Sequence, residues 1–316
     1  MQKKINAIIL GHAVGDALGV PVEFYLREDL TVNPVTDMRG YGRYYVPAGT
    51  WSDDTSMSLC AMKSLSKGIV DFDDVMEYFW QWYYEDAFTA TGITFDIGVS
   101  CAEAIENYYE KKKDVFECGC KEENKNGNGA LMRINPFVLF TYYNDVLSKE
   151  KKIDVIHKAS GLTHAHKRSL IGCGIYSFIL WELLNNPCKK SIFQGVLNAQ
   201  EFYKDENEFK HYSRLIDKDF GERDIEDIKS SGYIVETLEA AVWCLYTTDS
   251  FEKCLLKAVN LGGDTDSIGA VAGGLAGALY GYEAIPKKWL NALQKKDFIE
   301  EICVAFYNGL RKIQRG

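Results

Sequence analysis

Gly262-Gly263-Asp264-Thr265-Asp266-Ser267 runs directly into Ile268-Gly269-Ala270-Val271, so carboxylates and hydroxyls crowd the start of an apolar helical stretch. A counterpart stands near the other end of the chain, Gly49-Thr50-Trp51-Ser52-Asp53-Asp54-Thr55, and it too leads into a helical pattern. Taken singly, each reads equally well as a helix cap, because Ser and Asp accept from free N–H groups and acids favour the helix N-terminus. The recurrence after glycine and beside apolar sequence points further. Four carboxylates in an apolar setting repel one another and lose hydration unless a cation compensates them. Oxygen-only donors suit hard divalent ions such as magnesium, manganese or calcium and argue against zinc. The expectation is a metal site assembled from both ends of the chain, with Asp264 and Asp266 converging from one turn.

Outward from these two stretches, helical periodicity dominates. It predicts helices over 5–19, 55–67, 72–86, 98–110, 130–145, 151–160, 167–185, 190–203, 233–246, 251–259, 267–280, 286–294 and 297–313. Alternating patterns are scarce and there are only six prolines, so the fold class is all-α. Three long segments separate the helices: a Gly-, Pro- and Tyr-rich non-helical stretch over 25–50, a polar one over 111–129, and a charged one over 204–231. Loops of this length are functional or peripheral. The first two lead into motif positions, and the third reads as a mobile surface insertion. Without an internal repeat or composition shift, residues 1–316 read as a single domain.

The 316 residues are 47% hydrophobic, enough for a large core, and carry a net charge of −9 with scattered basic residues. That excludes non-specific nucleic-acid binding as a main activity. No stretch of about 18 apolar residues suggests a membrane span, and the N-terminus lacks a signal pattern, so the expected location is cytoplasmic. Nine cysteines, mostly in apolar helical contexts, suit core packing better than a disulfide framework. Cys118-Gly119-Cys120 has no suitably spaced second pair to make a zinc site.

Six segments in order then carry a resemblance that spans nearly the whole chain. They are Gly15-Asp16-Ala17-Leu18-Gly19 with Glu23, the Gly49–Thr55 stretch, and Phe95-Asp96-Ile97-Gly98. Gly127-Asn128-Gly129-Ala130-Leu131-Met132-Arg133, Thr163-His164 and Gly262–Ser267 complete the series. Together they resemble the ADP-ribosylglycohydrolase family, the group that includes the dinitrogenase reductase-activating glycohydrolase and the ADP-ribosyl-arginine and ADP-ribosyl-serine hydrolases.

The resemblance implies an orthogonal helical bundle with a central cleft holding two Mg2+ or Mn2+ ions. Their ligands would be Ser52, Asp53, Asp54, Asp264, Asp266 and Ser267, where Ser replaces the Thr of some relatives at 52 and 267 without losing the hydroxyl. Glu23, Asp54 and Asp264 become the catalytic candidates, and Glu23 could also switch between closing the site and admitting substrate. Asp96, Gly98, Gly127, Asn128, Gly129 and His164, with Glu23, become the substrate-binding set. Glycine at a helix N-terminus offers free N–H groups to a diphosphate, which lets an acidic protein hold a polyanion. Asp16, inside an apolar helix, is expected to bond to neighbouring backbone or side chains, and Arg133 to pair with buried acids. His166 is incidental, because His-x-His on a helix points its rings apart. Trp51 and Tyr233 are candidates to pack on an adenine.

The implied activity is metal-dependent hydrolysis of the glycosidic bond between ADP-ribose and an acceptor, with arginine on protein as the first choice. Serine, a nucleobase or a small conjugate remains open as acceptor, and neither a membrane nor nucleic acid is expected as partner. The rival readings are a non-catalytic ADP-ribose-binding protein and a metal-dependent phosphoesterase. Retention of all six candidate ligands favours the enzyme.

Overall fold

The computed structural model describes residues 1–314, and its regular structure is helical, with no strand among the described residues. Helices α1 (Gln2–Gly19), α2 (Arg27–Val32), α3 (Asp53–Leu65), α4 (Phe72–Glu85) and α5 (Val99–Tyr109) form the first part of the chain. Helices α6 (Asn135–Tyr142), α7 (Lys149–Gly161), α8 (Lys167–Asn185), α9 (Lys189–Phe202) and α10 (Ile234–Thr247) follow. Helices α11 (Phe251–Val259), α12 (Thr265–Tyr280), α13 (Lys287–Ala292) and α14 (Lys296–Ile313) complete it.

The outer helices show the expected one-sided burial. In α4 the buried residues are Val75, Met76, Phe79 and Trp82, and in α14 they are Ile299, Ile302, Cys303, Phe306 and Leu310. Spacings of three and four put each set on one face. Side-chain oxygens of Asp71, Ser148 and Ser250 accept from the first turns of α4, α7 and α11 and fix where those helices begin. Helices α1, α8 and α12 are instead buried nearly all round and form the centre.

The α1–α12 pair is packed backbone against backbone. Glycines recur every fourth residue on both helices, Gly11, Gly15 and Gly19 on one and Gly269, Gly273 and Gly277 on the other. A Cβ added to Gly15 would lie 1.9 Å from the Gly269 carbonyl oxygen, and one on Gly273 would lie 2.1 Å from that of Gly11. A Cβ on Gly277 would meet the Ala7 carbonyl oxygen at 2.0 Å, and one on Gly19 would meet Asp266 Cα at 2.3 Å. The pairing is antiparallel, so the C-terminal end of α1 lies against the N-terminal end of α12.

Four expectations change on inspection of the chain. The 25–50 segment contains α2, whose first turn carries Glu28 and Asp29. The helix expected over 130–145 splits into a 3-10 turn at Leu131–Arg133 and α6, because Pro136 occupies the first turn of α6. Helix α1 extended to Val22 is long and apolar enough to cross a membrane, contrary to the sequence reading, although nearly all of it is buried inside the protein. The 204–231 segment winds through 3-10 turns at Asn207–Ile216, Phe220–Glu222 and Ile225–Asp227, burying Phe209, Tyr212, Leu215 and Phe220.

The glycine seam carries a direct prediction. Gly15→Val should force the two helices apart and cost about 1–3 kcal/mol or more, as overpacking of a filled core does. Chemical denaturation would show it as a lower midpoint, and an unchanged midpoint would mean the close approach is dispensable.

Candidate active site

Three helix ends meet where the seam closes: the C-terminal end of α1 and the N-terminal ends of α3 and α12. The two N-termini aim positive dipole ends at one another's acids. Asp16, in the last turn of α1, locks the start of α3. Its Oδ1 accepts from Ser52 N–H at 2.9 Å, and its Oδ2 accepts from Thr55 N–H at 3.1 Å and Thr55 Oγ1 at 2.6 Å. Asp16 is thus bonded to backbone and hydroxyl as expected for a buried carboxylate within an apolar helix. On the α12 side, Gly262 and Gly263 take φ of 73° and 72°, a left-handed turn that swings Asp264 into the site. A Cβ on Gly263 would strike the Ser230 carbonyl oxygen at 2.2 Å.

The carboxylates converge in two overlapping groups. One oxygen each from Asp16, Asp54 and Asp266 lie within 4.8 Å of one another, and so do one each from Glu23, Asp264 and Asp266. Asp266 belongs to both. Ser52 Oγ donates to Asp54 Oδ2 at 3.0 Å, and Ser267 Oγ approaches the same oxygen at 3.5 Å. Asp53 is buried beside these groups without joining either triad, and burial, followed by the charges of Asp96 and Asp54, holds its carboxyl well above the ordinary range. Of the sequence candidates, Ser52, Asp54, Glu23, Asp264, Asp266 and Ser267 are therefore brought together, and Asp53 faces Asp96.

The electrostatics are lopsided. Burial, followed by Asp16 and Asp264, holds the Asp54 carboxyl well above its ordinary range, and burial with Glu23 and Asp96 does the same to Asp266. Burial and Asp96 push Glu23 up to about 9, and burial pushes Asp16 up to about 7. Asp54 Oδ1, Asp266 Oδ2 and Glu23 Oε2 are buried without a hydrogen-bond partner among the described residues. Unpartnered buried oxygens within a cluster of acids are what a hard cation would satisfy, and the donor set is all oxygen. The residues present therefore fit a divalent metal.

The cleft above this cluster has a volume of about 320 Å³ and is lined by Glu23, Asp53, Asp96, Gly98, Gly127, Asn128, Gly129, His164 and Asp264, among others. Every substrate-binding candidate borders it. Gly98 caps α5 and leaves that helix N-terminus open, as expected. Gly127–Gly129 instead precede the 3-10 turn, so Gly127 and Gly129 offer loop amides and not an α-helix terminus, while Asn128 N–H donates to the Gly232 carbonyl at 2.9 Å. The Asn128 side chain donates to Asp264 Oδ2 at 2.8 Å and to Thr237 Oγ1 at 2.9 Å, which ties Asp264 to α10 through one amide.

Several participants were beyond sequence reasoning. Tyr44 donates to Asp96 Oδ1 at 2.5 Å and stands beside Glu23, joining the two acids at the lip of the cleft. It lies in the irregular segment after α2, where no spacing marks it. Thr237, Cys101 and Gly232 also surround the site without a recognisable pattern. Two aromatic expectations fare differently from this. Trp51 is fully buried with its indole N–H on the Gln294 carbonyl, so it cannot stack on a ligand, and Tyr233 is absent from the cleft lining.

Arg133 departs from expectation as well. It is wholly buried but meets no carboxylate among the described residues. Its guanidinium donates to the Ala159 carbonyl and, at 2.8 Å, to Thr163 Oγ1, beneath the Phe79 ring. Thr163 Oγ1 in turn lies 2.9 Å from His164 Nδ1. Burial lowers the His164 pKa to about 3, so the ring is neutral. His166 serves α8 as its cap, accepting from Arg168 N–H at 3.2 Å, and points away from His164.

A family profile described as ADP-ribosylglycohydrolase matches residues 1–315. The chain is 34% identical over 304 residues to the ADP-ribosylarginine hydrolase Tri1 of Serratia proteamaculans (strain 568), covering 95% of this chain and 78% of that one. It is 32% identical over 294 residues to the ADP-ribosyl-[dinitrogen reductase] glycohydrolase of Rhodospirillum rubrum, covering 91% and 89%. A solved structure titled ADP-ribosylglycohydrolase-related protein complex superposes with a TM-score of 0.80 at 33% identity, over 97% of each chain.

Two measurements test the geometry. The raised carboxyls ionise at greater cost in the folded chain than in the unfolded one. Their contribution is harmless below the ordinary carboxyl range near 4 and erodes stability as pH climbs toward 9. Magnesium or manganese should therefore raise the melting temperature more at pH 8 than at pH 5, and indifference to both ions at both pH values would count against a cation seat. Separately, Arg133 only donates, which leaves the Thr163 hydroxyl hydrogen free for His164 Nδ1 and the ring hydrogen on Nε2, facing the cleft. Nitrogen-15 shifts of His164 should report the Nε2–H tautomer in the unsubstituted chain and in Thr163→Ser. Thr163→Val should lose that preference, and an Nδ1–H ring at the outset would refute the arrangement.

Proposed function

The chain belongs to the ADP-ribosylglycohydrolase family and is a hydrolytic enzyme of ADP-ribosylated substrates, and from that premise we propose that it removes ADP-ribose from arginine on protein in a divalent-cation-dependent reaction. The observation that carries the cation dependence is the buried, unpartnered set Asp54 Oδ1, Asp266 Oδ2 and Glu23 Oε2. The choice of arginine is supported by two relatives named ADP-ribosylarginine hydrolase, at 34% and 30% identity. The preference for two ions, magnesium or manganese, is supported by two oxygen triads that share Asp266.

In this reading Asp54, Asp264 and Asp266, with the hydroxyls of Ser52 and Ser267 and with Asp53 beside them, would hold the cations, which would supply charge stabilisation when bound. The N–H groups at the start of α5, the loop amides of Gly127 and Gly129 and the His164 ring face the diphosphate and ribose. Asn128 and Thr237 keep Asp264 in place. Hydrolysis breaks the bond from C1″ to the acceptor and forms a bond from C1″ to water oxygen. Glu23, bordering the cleft, would pass a proton to the departing nitrogen. Asp54 or Asp264 accepts the proton that water gives up. Tyr44 fixes Asp96 and the neighbouring Glu23 at the lip, so that Glu23 meets the scissile bond in one orientation.

The experiment is direct. Arginine-linked and serine-linked ADP-ribosyl peptides are incubated with the protein, with and without chelator, and the products are identified. Free ADP-ribose from the arginine peptide, lost with chelator, is expected. Asp54→Asn and Asp264→Asn should lower kcat by at least about a hundredfold while leaving the helical circular dichroism unchanged. Cleavage of the serine peptide alone, a phosphodiester product, or full turnover without cations would each overturn part of the reading.

A further inference from the structure

We propose that the groove adjoining the cleft at Phe24 is the seat of the acceptor polypeptide, and that it takes an extended basic segment flanking the modified residue. This rests on the proposed hydrolase activity and names the substrate class beyond the ADP-ribosyl group itself.

The groove has a volume of about 710 Å³ and shares Phe24 with the cleft as a common wall. Elsewhere the boundary is one residue thick: Gly263 borders the groove where Asp264 borders the cleft, and Ser231 borders the groove where Gly232 borders the cleft. An acceptor attached at C1″ sits over Glu23 and Asp264, the cleft residues that adjoin this wall. The chain on either side of the modified residue therefore meets the groove first.

The floor is apolar and exposed by construction. Phe24, Tyr25 and Leu26 are consecutive and 57%, 41% and 65% exposed. Water-facing apolar residues in a run mark a surface meant to be covered. Their exposure is not looseness. Phe24 N–H donates to the Gly263 carbonyl at 2.7 Å, and Gly263 N–H donates to that of Tyr25 at 2.9 Å. Arg27 then staples the strip down, donating to the carbonyls of Leu261, Ile225 and Ile228 at 2.8, 2.5 and 2.5 Å.

The rim selects the charge of the occupant. Arg27 spends its guanidinium on those carbonyls, and Lys229 lies 3.4 Å from Glu236. Glu28 and Glu226 line the groove with no ion-pair partner among the described residues. Because Arg27 keeps its charge while it donates, the lining sets three acids, Glu28, Glu226 and Glu236, against two bases, Arg27 and Lys229, and its balance is negative. That rim repels the diphosphate, which belongs at the amide-lined end of the cleft, and attracts lysine or arginine from a polypeptide. Apolar floor and acidic rim together match a segment in which basic and apolar side chains alternate along an extended chain.

The test separates this inference from the activity it builds on. A fluorescein-labelled, unmodified peptide of alternating arginine and leucine, and its glutamate–leucine counterpart, are titrated by anisotropy. Binding of the basic peptide alone, weakened by salt and by the double variant Glu28→Lys/Glu226→Lys, is expected. No binding, or equal binding of the acidic peptide, overturns the inference whether or not hydrolysis occurs. On substrates, Leu26→Ser and the double variant should each lower kcat/KM at least about tenfold for an ADP-ribosylated basic peptide while leaving free ADP-ribosylarginine unchanged. Equal losses on both substrates would overturn it as well. Intact peptide binding with no turnover of any conjugate would instead sink the hydrolase reading alone.

Discussion

The contact on which everything else depends is the approach of α1 to α12 without side chains between them. A hydrogen atom is all that Gly15 and Gly269 can place in that interface, and their backbones come close enough that each would clash with a Cβ on the other. Wider spacing would move the start of α12 away from the end of α1. Asp266 would then leave Asp16, and Asp54, tied to Asp16 through Ser52 and Thr55, would lose its partner across the seam. Dispersion and burial hold the helices together. The acids themselves contribute nothing to that attraction and oppose it.

That opposition shapes the site. The charges acting on Asp54 and Asp266 all come from other acids, and the one fully buried arginine nearby is engaged by a carbonyl and a threonine hydroxyl. Two features offset the repulsion without a counter-ion. Helix N-termini direct their dipoles inward, and Ser52, Thr55 and Asn128 donate to the carboxylates. These remove part of the cost but leave several oxygens bare. A protein that evolves such an arrangement keeps stability in reserve for binding something positive, in the way functional sites carry strain that the rest of the fold supports.

Sequence alone exposed the fold class because the helices are long and the periodicity plain, and it exposed the acids because they stand in dense, glycine-led clusters. What escaped it has physical reasons. Pro136 moves the start of a helix by several residues, and a strongly apolar pattern upstream hides the shift. Tyr44 and Thr237 act through single hydrogen bonds that only the folded chain creates, and neither has a neighbour in sequence to give it away. Trp51 sits inside the acidic stretch, which invites a ligand role, yet its indole N–H finds a carbonyl 243 residues away and the ring becomes core. Arg133 was expected beside acids because buried charge usually has charge beside it, whereas a threonine and a main-chain oxygen satisfy it here. The Gly11–Gly15–Gly19 spacing was on view throughout, but one helix cannot show which partner its flat face meets.

The distribution of the site along the chain has a consequence for how it comes into being. Glu23 and Asp54 belong to the first fifth of the protein and Asp264 and Asp266 to the last, so no contiguous segment can form the cluster. The contacts that join them are among the most distant in sequence, and distant contacts form late because loop closure must be overcome first. Until α12 docks, α3 and α1 can pair through Asp16 with only their own acids to accommodate. The repulsion therefore arises only when α12 meets α1, in the same step that buries the central seam. Placing the acids at opposite ends therefore ties the cost of the active centre to the contact that buries the glycine seam, and the packing of that seam offsets it.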